Sequence, residues 1–306
     1  MRIAYAGSPP AAIAPLRALV ASTHEVVRVI TQPDRPRGRR GTPQPTAVAA
    51  AAEDLGLAVT KPQSINEPAM ITMLEADRID ALVVVAFGQI LRDDIPDRWA
   101  WVNGHFSLLP AYRGAAPVER AIMDGVEETG VTIMLMDAGL DTGPMLTRAR
   151  VAVGEGDTGG RMTDLLAERG ADLLVDALTG LSDGTLTATP QPHEGVSLAA
   201  KITAADRVID RRRPARLVAR QIHALAPHIG ATCRIDGQPF KLWGARVADG
   251  PPSAEPLTVH DGRLLLACAD APLEITHLQP PGRGRMATGD FLRGWRGTPV
   301  WEETDV

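Results

Sequence analysis

Ala81-Leu82-Val83-Val84-Val85-Ala86-Phe87 is a run of seven residues without a polar side chain. A strand with this pattern needs apolar neighbours on both faces, which is typical of a parallel sheet covered by helices. Strand patterns at Ile3–Ser8 and Val26–Thr31 precede it, and a helical pattern follows each of them, one through about Val20 and one at Ala47–Leu55. The alternation predicts a doubly wound, mainly parallel α/β sheet whose ligands bind beyond the carboxyl ends of the strands.

The composition is that of a folded protein with room for two domains. The chain has 306 residues, of which 44% are hydrophobic. No apolar run approaches the roughly 18 residues of a membrane-spanning helix, and the first residues lack a signal-peptide layout, so we expect a cytoplasmic protein. Cys233 and Cys268 are too few for a disulfide framework or a cysteine-based zinc site, and we expect both to be small core residues.

After the first strands and helices the pattern changes. Helical periodicity recurs at Ala116–Gly125 and Thr163–Leu178, with a strand pattern at Val131–Met136 between them. Residues 180–206 lack a long apolar period and contain Pro190-Gln191-Pro192, which indicates an extended connection.

The end of the chain predicts a small β-rich domain. A basic helix is expected at about Pro214–Ala224, and short strand patterns such as Phe240–Trp243 and Arg263–Ala267 alternate with Gly, Pro and Asp, as in small OB-like barrels. We predict an α/β domain over residues 1–189, a linker over 190–206 and a β-barrel domain over 207–306.

Charge is divided unevenly along the chain, whose net charge is −5. Residues 1–206 hold 18 Lys and Arg against 26 Asp and Glu, whereas residues 207–306 hold 14 against 11. A basic second part indicates a polyanionic partner. So small an excess is equally compatible with an ordinary solvated surface.

Nucleotide binding is the first function to consider for a doubly wound sheet. The turn after the first strand reads Gly7-Ser8-Pro9-Pro10, so the glycines of a G-x-G-x-x-G turn are absent, and no G-x-x-x-x-G-K motif occurs. The sequence argues against an NAD or ATP site of either type.

Val102–Pro117 begins as a strand and ends in a Pro/Gly-rich loop before a helix. Asn103 and His105 lie two residues apart, so their side chains emerge on one face of an extended chain. An amide can donate to an oxygen that gains negative charge, and an imidazole can exchange a proton near neutral pH, which suits acyl transfer. Taken alone, an Asn-x-His pair is more often structural.

A second polar segment follows the strand pattern at Val131–Met136. Asp141 lies in the turn Leu140–Gly143, where its carboxylate could face the mouth of the sheet and hold a histidine oriented and charged. Asp137 is the competing candidate. Asp and Gly are also ordinary turn formers, so this segment alone favours a simple bend.

Together the two segments resemble the folate-dependent formyltransferases, and the resemblance covers essentially the whole chain. That family carries Asn-x-His, then Ser-Leu-Leu-Pro, Arg-Gly and Asp-Thr-Gly, which match Asn103, His105, Ser107–Pro110, Arg113-Gly114 and Asp141–Gly143. The loop Gln32–Gly41 and the segment Leu278–Met286 are similar to the branch of the family that acts on initiator tRNA. One departure is Arg211, which stands where that branch commonly has tryptophan.

The resemblance implies a reaction and its participants. The donor is 10-formyltetrahydrofolate, the acceptor is the α-amino group of methionine on initiator tRNA, and no metal is required. Asn103 and His105 would act on the formyl oxygen, while Asp141 would support His105 and help to relay the amine proton. The implied folate-binding residues are Phe87, Gly88, Gln89, Ile90, Leu91, Ser107, Leu108, Leu109, Pro110 and Asp137. Without the family match, Phe87 and Leu91 would be read as core.

Basic residues supply the expected RNA contacts. The loop between Gln32 and Gln44 is rich in arginine and lacks an apolar cluster, so we expect it to clamp phosphates beside the site. The basic helix would support the RNA further along. The arginines are Arg35, Arg37, Arg39 and Arg40 in the loop and Arg212, Arg213, Arg216 and Arg220 in or near the helix.

Two alternatives stay open at this point. A formyltransferase for an amino sugar nucleotide would share Asn103, His105 and Asp141 without needing the basic loop or tail. A non-catalytic RNA-binding or folate-sensing protein on the same scaffold would not need the three polar residues. We expect the protein to be a monomer.

Overall fold

The computed structural model describes residues 1–36, 41–89, 99–297 and 299–303. The chain packs into two compact units. The first comprises Met1–Gly114, Thr129–Val151 and Thr163–Leu198, and the second comprises Ala115–Glu128, Ala152–Met162 and Ala199–Val306. The domain limits predicted at residues 189 and 206 stay a prediction, because this division follows packing and not a single cut in the chain.

One large sheet organises the first unit. The strands found in this part of the described chain are β1 (Arg2–Gly7), β2 (Glu25–Ile30), β3 (Arg35–Pro36), β4 (Pro43–Gln44), β5 (Val59–Thr60), β6 (Ala81–Val85), β7 (Ala100–His105), β8 (Glu128–Leu135) and β9 (Met145–Ala152). The large sheet has the order β5-β2-β1-β6-β7-β8-β9, while β3 and β4 form a separate short hairpin.

The five neighbouring strands in the order β5-β2-β1-β6-β7 run parallel, and β8 pairs antiparallel with β7. Every residue of β6 is buried, which explains why its sequence is apolar throughout. Because β1, β6 and β7 are parallel neighbours, their carboxyl ends meet at one edge of the sheet. The predicted doubly wound, mainly parallel fold is confirmed.

The helices of the described chain are α1 (Ile13–Ala21), α2 (Ala47–Asp54), α3 (Pro68–Ala76), α4 (Pro117–Asp124), α5 (Gly159–Ser182), α6 (Ala215–Leu225) and α7 (Thr288–Gly294). Helix α2 begins where predicted because the Thr46 side chain accepts a hydrogen bond from the Ala49 amide. Helix α5 extends beyond the predicted Thr163–Leu178 at both ends, and α3 was not predicted.

An antiparallel sheet organises the second unit. Its strands are β10 (Ala231–Ile235), β11 (Gln238–Val247), β12 (Leu257–His260), β13 (Arg263–Ala267), β14 (Pro272–Gln279), β15 (Met286–Ala287) and β16 (Trp301–Glu302). The order is β12-β13-β14-β11-β10-β16, with β15 beside β14. The sheet curls around one apolar core that also takes the buried face of α6, so the predicted small β-barrel is confirmed.

Both cysteines belong to this second core, as predicted. Burial, with a smaller contribution from Asp270, raises the pKa of the Cys268 thiol to about 12, and burial raises that of Cys233 as well. Among the described residues, no helix has the length and apolar character needed to cross a membrane.

Candidate active site

Asn103 and His105 lie at the carboxyl end of β7, between β6 and β8. The parallel register places Asn103 beside Val84 of β6, and the antiparallel register places His105 opposite Thr132 of β8. His105 is buried. Both side chains approach the carboxylate of Asp141, so they lie on one face of the strand, as the two-residue spacing predicts.

Asp141 lies 36 residues further along the chain than His105, yet its carboxylate joins the pair. Its Oδ1 accepts a hydrogen bond from Asn103 Nδ2 at 3.3 Å, and its Oδ2 lies 3.7 Å from His105 Nδ1. The Gly114 amide donates to the same Oδ2 at 2.8 Å. Asp141 has a φ of +52°, a left-handed conformation that is costly for a residue with a side chain. These contacts hold the carboxylate in place despite that backbone cost.

The hydrogen bonds of His105 distinguish its two ring nitrogens. Nε2 lies 2.9 Å from the Tyr112 carbonyl oxygen, which can only accept, so Nε2 carries a proton. The other nitrogen, Nδ1, faces the Asp141 carboxylate. Together the two contacts fix the orientation of the ring.

Asp137, the competing candidate, has a local role in the same loop. Its Oδ1 accepts hydrogen bonds from the Gly139 amide at 3.1 Å and from the Thr142 hydroxyl at 2.6 Å. These bonds shape the turn that presents Asp141. Of the two acidic residues, Asp141 is the one that approaches Asn103 and His105.

Gln191 lies about fifty positions further along the chain and holds this loop through hydrogen bonds. Its role is not predicted from the sequence. Its Nε2 donates to the carbonyl oxygens of Asp141 and Gly143, each at 2.8 Å. Its Oε1 accepts from Arg113 Nε at 3.1 Å and Nη2 at 2.6 Å. Gln191 lies between two prolines in the segment predicted to be a linker, where no periodic pattern marks a residue as buried or functional.

The predicted folate segment 107–110 forms a tight turn before Tyr112. The Ser107 hydroxyl donates to the Ala111 carbonyl oxygen at 2.6 Å, and Thr132 Oγ1 donates to the Ser107 carbonyl oxygen at 2.7 Å while accepting from the Leu109 amide at 3.2 Å. Ser107, Leu109 and Pro110 are buried, whereas Leu108 is half-buried. The assignment of this segment to folate stays a prediction.

The other predicted folate segment follows β6. Phe87 is a core residue with 2% of its surface exposed, Gly88 is exposed with a φ of +85°, and Gln89 bonds to the Ile65 amide at 2.7 Å. Ile90 and Leu91 lie outside the described residues. A cavity of about 350 Å³ is lined in part by Gly88, Gln32 and Arg35. It lies at the edge of the sheet where ligands are expected.

The predicted RNA-contacting arginines differ in their surroundings. Arg35 is exposed on β3, and Arg37, Arg39 and Arg40 lie outside the described residues. In the second unit Arg213 and Arg216 are exposed, whereas Arg212 pairs with Asp210 and Arg220 donates to the Gly125 carbonyl oxygen at the end of α4.

Arg211, the residue that departs from the family pattern, forms an ion pair with Glu303 at 2.6 Å. Across residues 1–36, 41–89, 99–297 and 299–303, no cluster of three or more His, Cys, Asp or Glu side chains could hold a metal ion.

Comparisons with known protein families match most of the chain. The family described as "Formyl transferase" matches residues 1–178, and "Formyl transferase, C-terminal domain" matches residues 201–296. The chain is 44% identical over 301 residues to the methionyl-tRNA formyltransferase of Aromatoleum aromaticum, covering 96% of this chain and 94% of that protein. It is 42% identical over 298 residues to the enzyme of that name from Rhodopseudomonas palustris, covering 96% of each.

Solved structures with much lower identity share the fold. The N-formyltransferase of Helicobacter canadensis, determined with folinic acid and dTDP-3-aminofucose, has a TM-score of 0.64 at 16% identity and covers 91% of this chain and 98% of its own. HypX from Aquifex aeolicus, determined with tetrahydrofolic acid, has a TM-score of 0.68 at 18% identity and covers 100% of this chain and 50% of its own.

Proposed function

The chain belongs to the formyl transferase family, and from that premise we propose that it transfers the formyl group of 10-formyltetrahydrofolate to the α-amino group of methionine on initiator tRNA. The product is N-formylmethionyl-tRNA, the initiator of translation. The observation that carries the proposal is the convergence of Asn103, His105 and Asp141 at the carboxyl end of β7.

The three side chains suit the chemistry of the step. The neutral amine nitrogen bonds to the formyl carbon, the bond between that carbon and folate N10 breaks, and the amine proton ends on N10. Asn103 Nδ2 and His105 act on the oxygen that gains negative charge. Asp141 orients both groups and helps to relay the proton from the amine to N10.

The folate donor and the RNA acceptor bind through different residues around this site. Folate takes the segments Phe87–Leu91 and Ser107–Pro110 together with Asp137, where Gly88 allows a flat ring to approach the backbone. The arginines of the Gln32–Gln44 loop bind the acceptor RNA. Further phosphate contacts come from Arg212, Arg213, Arg216 and Arg220. The protein acts as a cytoplasmic monomer.

The choice of tRNA over an amino sugar nucleotide rests on the relatives. Proteins 42–44% identical over 96% of the chain carry the name methionyl-tRNA formyltransferase. The sequence identity to the sugar N-formyltransferase of known structure is only 16%, so that structure supports the fold and not the substrate.

Purified full-length protein with 10-formyltetrahydrofolate tests the proposal. We expect formylation of methionyl-initiator tRNA and no detectable turnover of an aminated deoxysugar nucleotide, measured by mass spectrometry of both acceptors. Turnover of the sugar nucleotide alone would establish the rival function, and turnover of neither would reject both.

A further inference from the structure

Three adjacent parallel strands of the first unit, β2, β1 and β6, end in residues that bond to one another. Ser8 follows β1, the middle strand, while Gln32 follows β2 and Phe87 follows β6. The Ser8 hydroxyl accepts from the Gln32 backbone amide at 3.2 Å and donates to the Phe87 carbonyl oxygen at 3.1 Å. Gln32 Nε2 donates to the same carbonyl oxygen at 3.3 Å. We call Ser8, Gln32 and Phe87 the strand-end junction.

The Phe87 carbonyl oxygen is a fixed acceptor. The side chain of Phe87 is buried in the core, and β6, which ends two residues earlier, pairs with a strand on each side. A bond to a group that is already held in place requires only the donor side chain to become ordered. Gln32 can therefore fix its own segment of chain to the end of β6.

The strand-end junction lies between the two regions that the proposed function assigns to donor and acceptor. On the folate side is Gly88, where an added Cβ would lie 3.8 Å from Gln32 Nε2. On the acceptor side Gln32 begins the arginine-rich loop, and Arg35 follows it on β3. The cavity at Gly88 is bounded by both ends of that loop, with a wall made by Gln32, Pro33, Arg35, Gln44, Pro45 and Thr46.

The other side-chain contacts of the loop lead away from the end of β6. Lys61 Nζ pairs with Asp34 Oδ1 at 2.8 Å, but both side chains are partly exposed, and such pairs contribute little because water screens them. At the far end of the loop, the Thr46 hydroxyl lies 2.6 Å from that of Thr31. Of the described residues in this loop, Gln32 is the one whose side chain bonds to the end of β6.

We propose that Gln32 is a positioning residue for the acceptor, which holds the start of the arginine-rich loop against the folate-binding end of β6. Among the described residues, its hydrogen bonds go to Ser8 and Phe87 and not to the three polar side chains of the candidate active site. It therefore acts on the placement of the loop and not on the formyl group. The identity of the acceptor rests on the proposed function, whereas the attachment of the loop rests on the strand-end junction alone.

Steady-state kinetics of full-length Gln32→Leu with methionyl-initiator tRNA and 10-formyltetrahydrofolate tests this role. Leucine keeps most of the side-chain volume but cannot donate to the Phe87 carbonyl oxygen. We expect the KM for tRNA to rise several-fold, as for the loss of one neutral hydrogen bond, while kcat and the KM for folate stay within about twofold.

Gln44→Leu is the matched control. It makes the same substitution in the wall of the same cavity, but Gln44 Nε2 bonds to Thr42 within the loop, at 3.0 Å. Its KM for tRNA should match that of the wild type. If Gln32→Leu unfolds, Gln32→Asn takes its place, because its amide stays polar but is one methylene too short to reach the Phe87 carbonyl oxygen. The same rise in KM is expected.

An unchanged KM for tRNA in the Gln32 variant that folds would overturn the proposal. An equal rise in Gln44→Leu would overturn it too, and so would a loss confined to kcat.

Hydrogen exchange of the full-length protein without ligands separates this proposal from the proposed function. In Gln32→Leu, the amides of residues 32–36 and 41–46 should exchange faster than in the wild type and in Gln44→Leu, because the loop loses its attachment. Unchanged exchange there would overturn the proposal whatever the acceptor is. A wild type that does not formylate tRNA would reject the proposed function, and the exchange rates would still decide the role of Gln32.

Discussion

The strand end that carries Asn103 and His105 and the loop that carries Asp141 build one site by different means. Asn103 and His105 are placed by the sheet, through backbone pairing with β6 and β8. Asp141 has no such register, and its position depends on the Gly114 amide and on the Gln191 side chain. A strand places its side chains through many backbone bonds at once, whereas the loop relies on a few individual contacts.

The largest expected effect comes from removing a polar side chain from either the strand end or the loop. Asn103→Ala and Asp141→Ala should each lower turnover by a factor of roughly one hundred or more, because each removes a group that acts on the developing charge or on the proton. Steady-state kinetics with methionyl-initiator tRNA measures the loss. His105→Ala is the companion variant, and it should lose turnover while still binding folate.

Normal rates in Asn103→Ala or Asp141→Ala would remove that residue from the mechanism. Folate binding without turnover in His105→Ala would exclude the non-catalytic folate-sensing alternative, since a sensor does not depend on turnover.

The difference between strand and loop also explains what could be predicted from the sequence. The apolar run at β6 and the spacing of Asn103 and His105 are local patterns. The first predicts a strand buried on both faces, and the second predicts that the two side chains share one face of a strand. Local pattern does not separate Asp137 from Asp141, because both follow the same strand; the resemblance to the family favours Asp141, and the fold of the loop turns that carboxylate towards Asn103 and His105.

Contacts between distant residues left no local signal at all. Gln191 meets Asp141 across 50 positions, in a Pro-rich stretch that resembles a linker. The hairpin of β3 and β4 and the strand β9 were likewise not predicted, since two-residue strands carry too little pattern and β9 alternates with arginines.

A smaller effect should follow from loosening the loop alone. Gln191→Ala removes the two hydrogen bonds to the carbonyl oxygens of Asp141 and Gly143, so the carboxylate should lose its alignment and kcat should fall by roughly tenfold. The KM for tRNA should stay within about twofold, because this side chain acts through Asp141 and not on the RNA.

Gln191→Glu sharpens that test, since it keeps an acceptor for Arg113 but loses both donors to the loop. We expect it to be as slow as Gln191→Ala. Gln238→Ala makes the same substitution at an exposed strand end and should leave kcat unchanged. Wild-type kcat in Gln191→Glu would show that the amide donors do not position Asp141.

The smallest effect on turnover is expected on the strand side, at Thr132. This buried hydroxyl bonds to the Ser107 carbonyl oxygen and the Leu109 amide, and Thr132→Val would leave both groups unpaired at a cost of about 1–3 kcal/mol in the free energy of unfolding. Turnover should change by no more than about threefold, because the backbone pairing of β7 with β6 and β8 still fixes Asn103 and His105. Urea unfolding compares it with Thr132→Ser, which keeps the hydroxyl and should retain most of the stability. A hundredfold loss of turnover in Thr132→Val with unchanged stability would mean that the strand, like the loop, depends on single contacts, and the contrast between the two would fail.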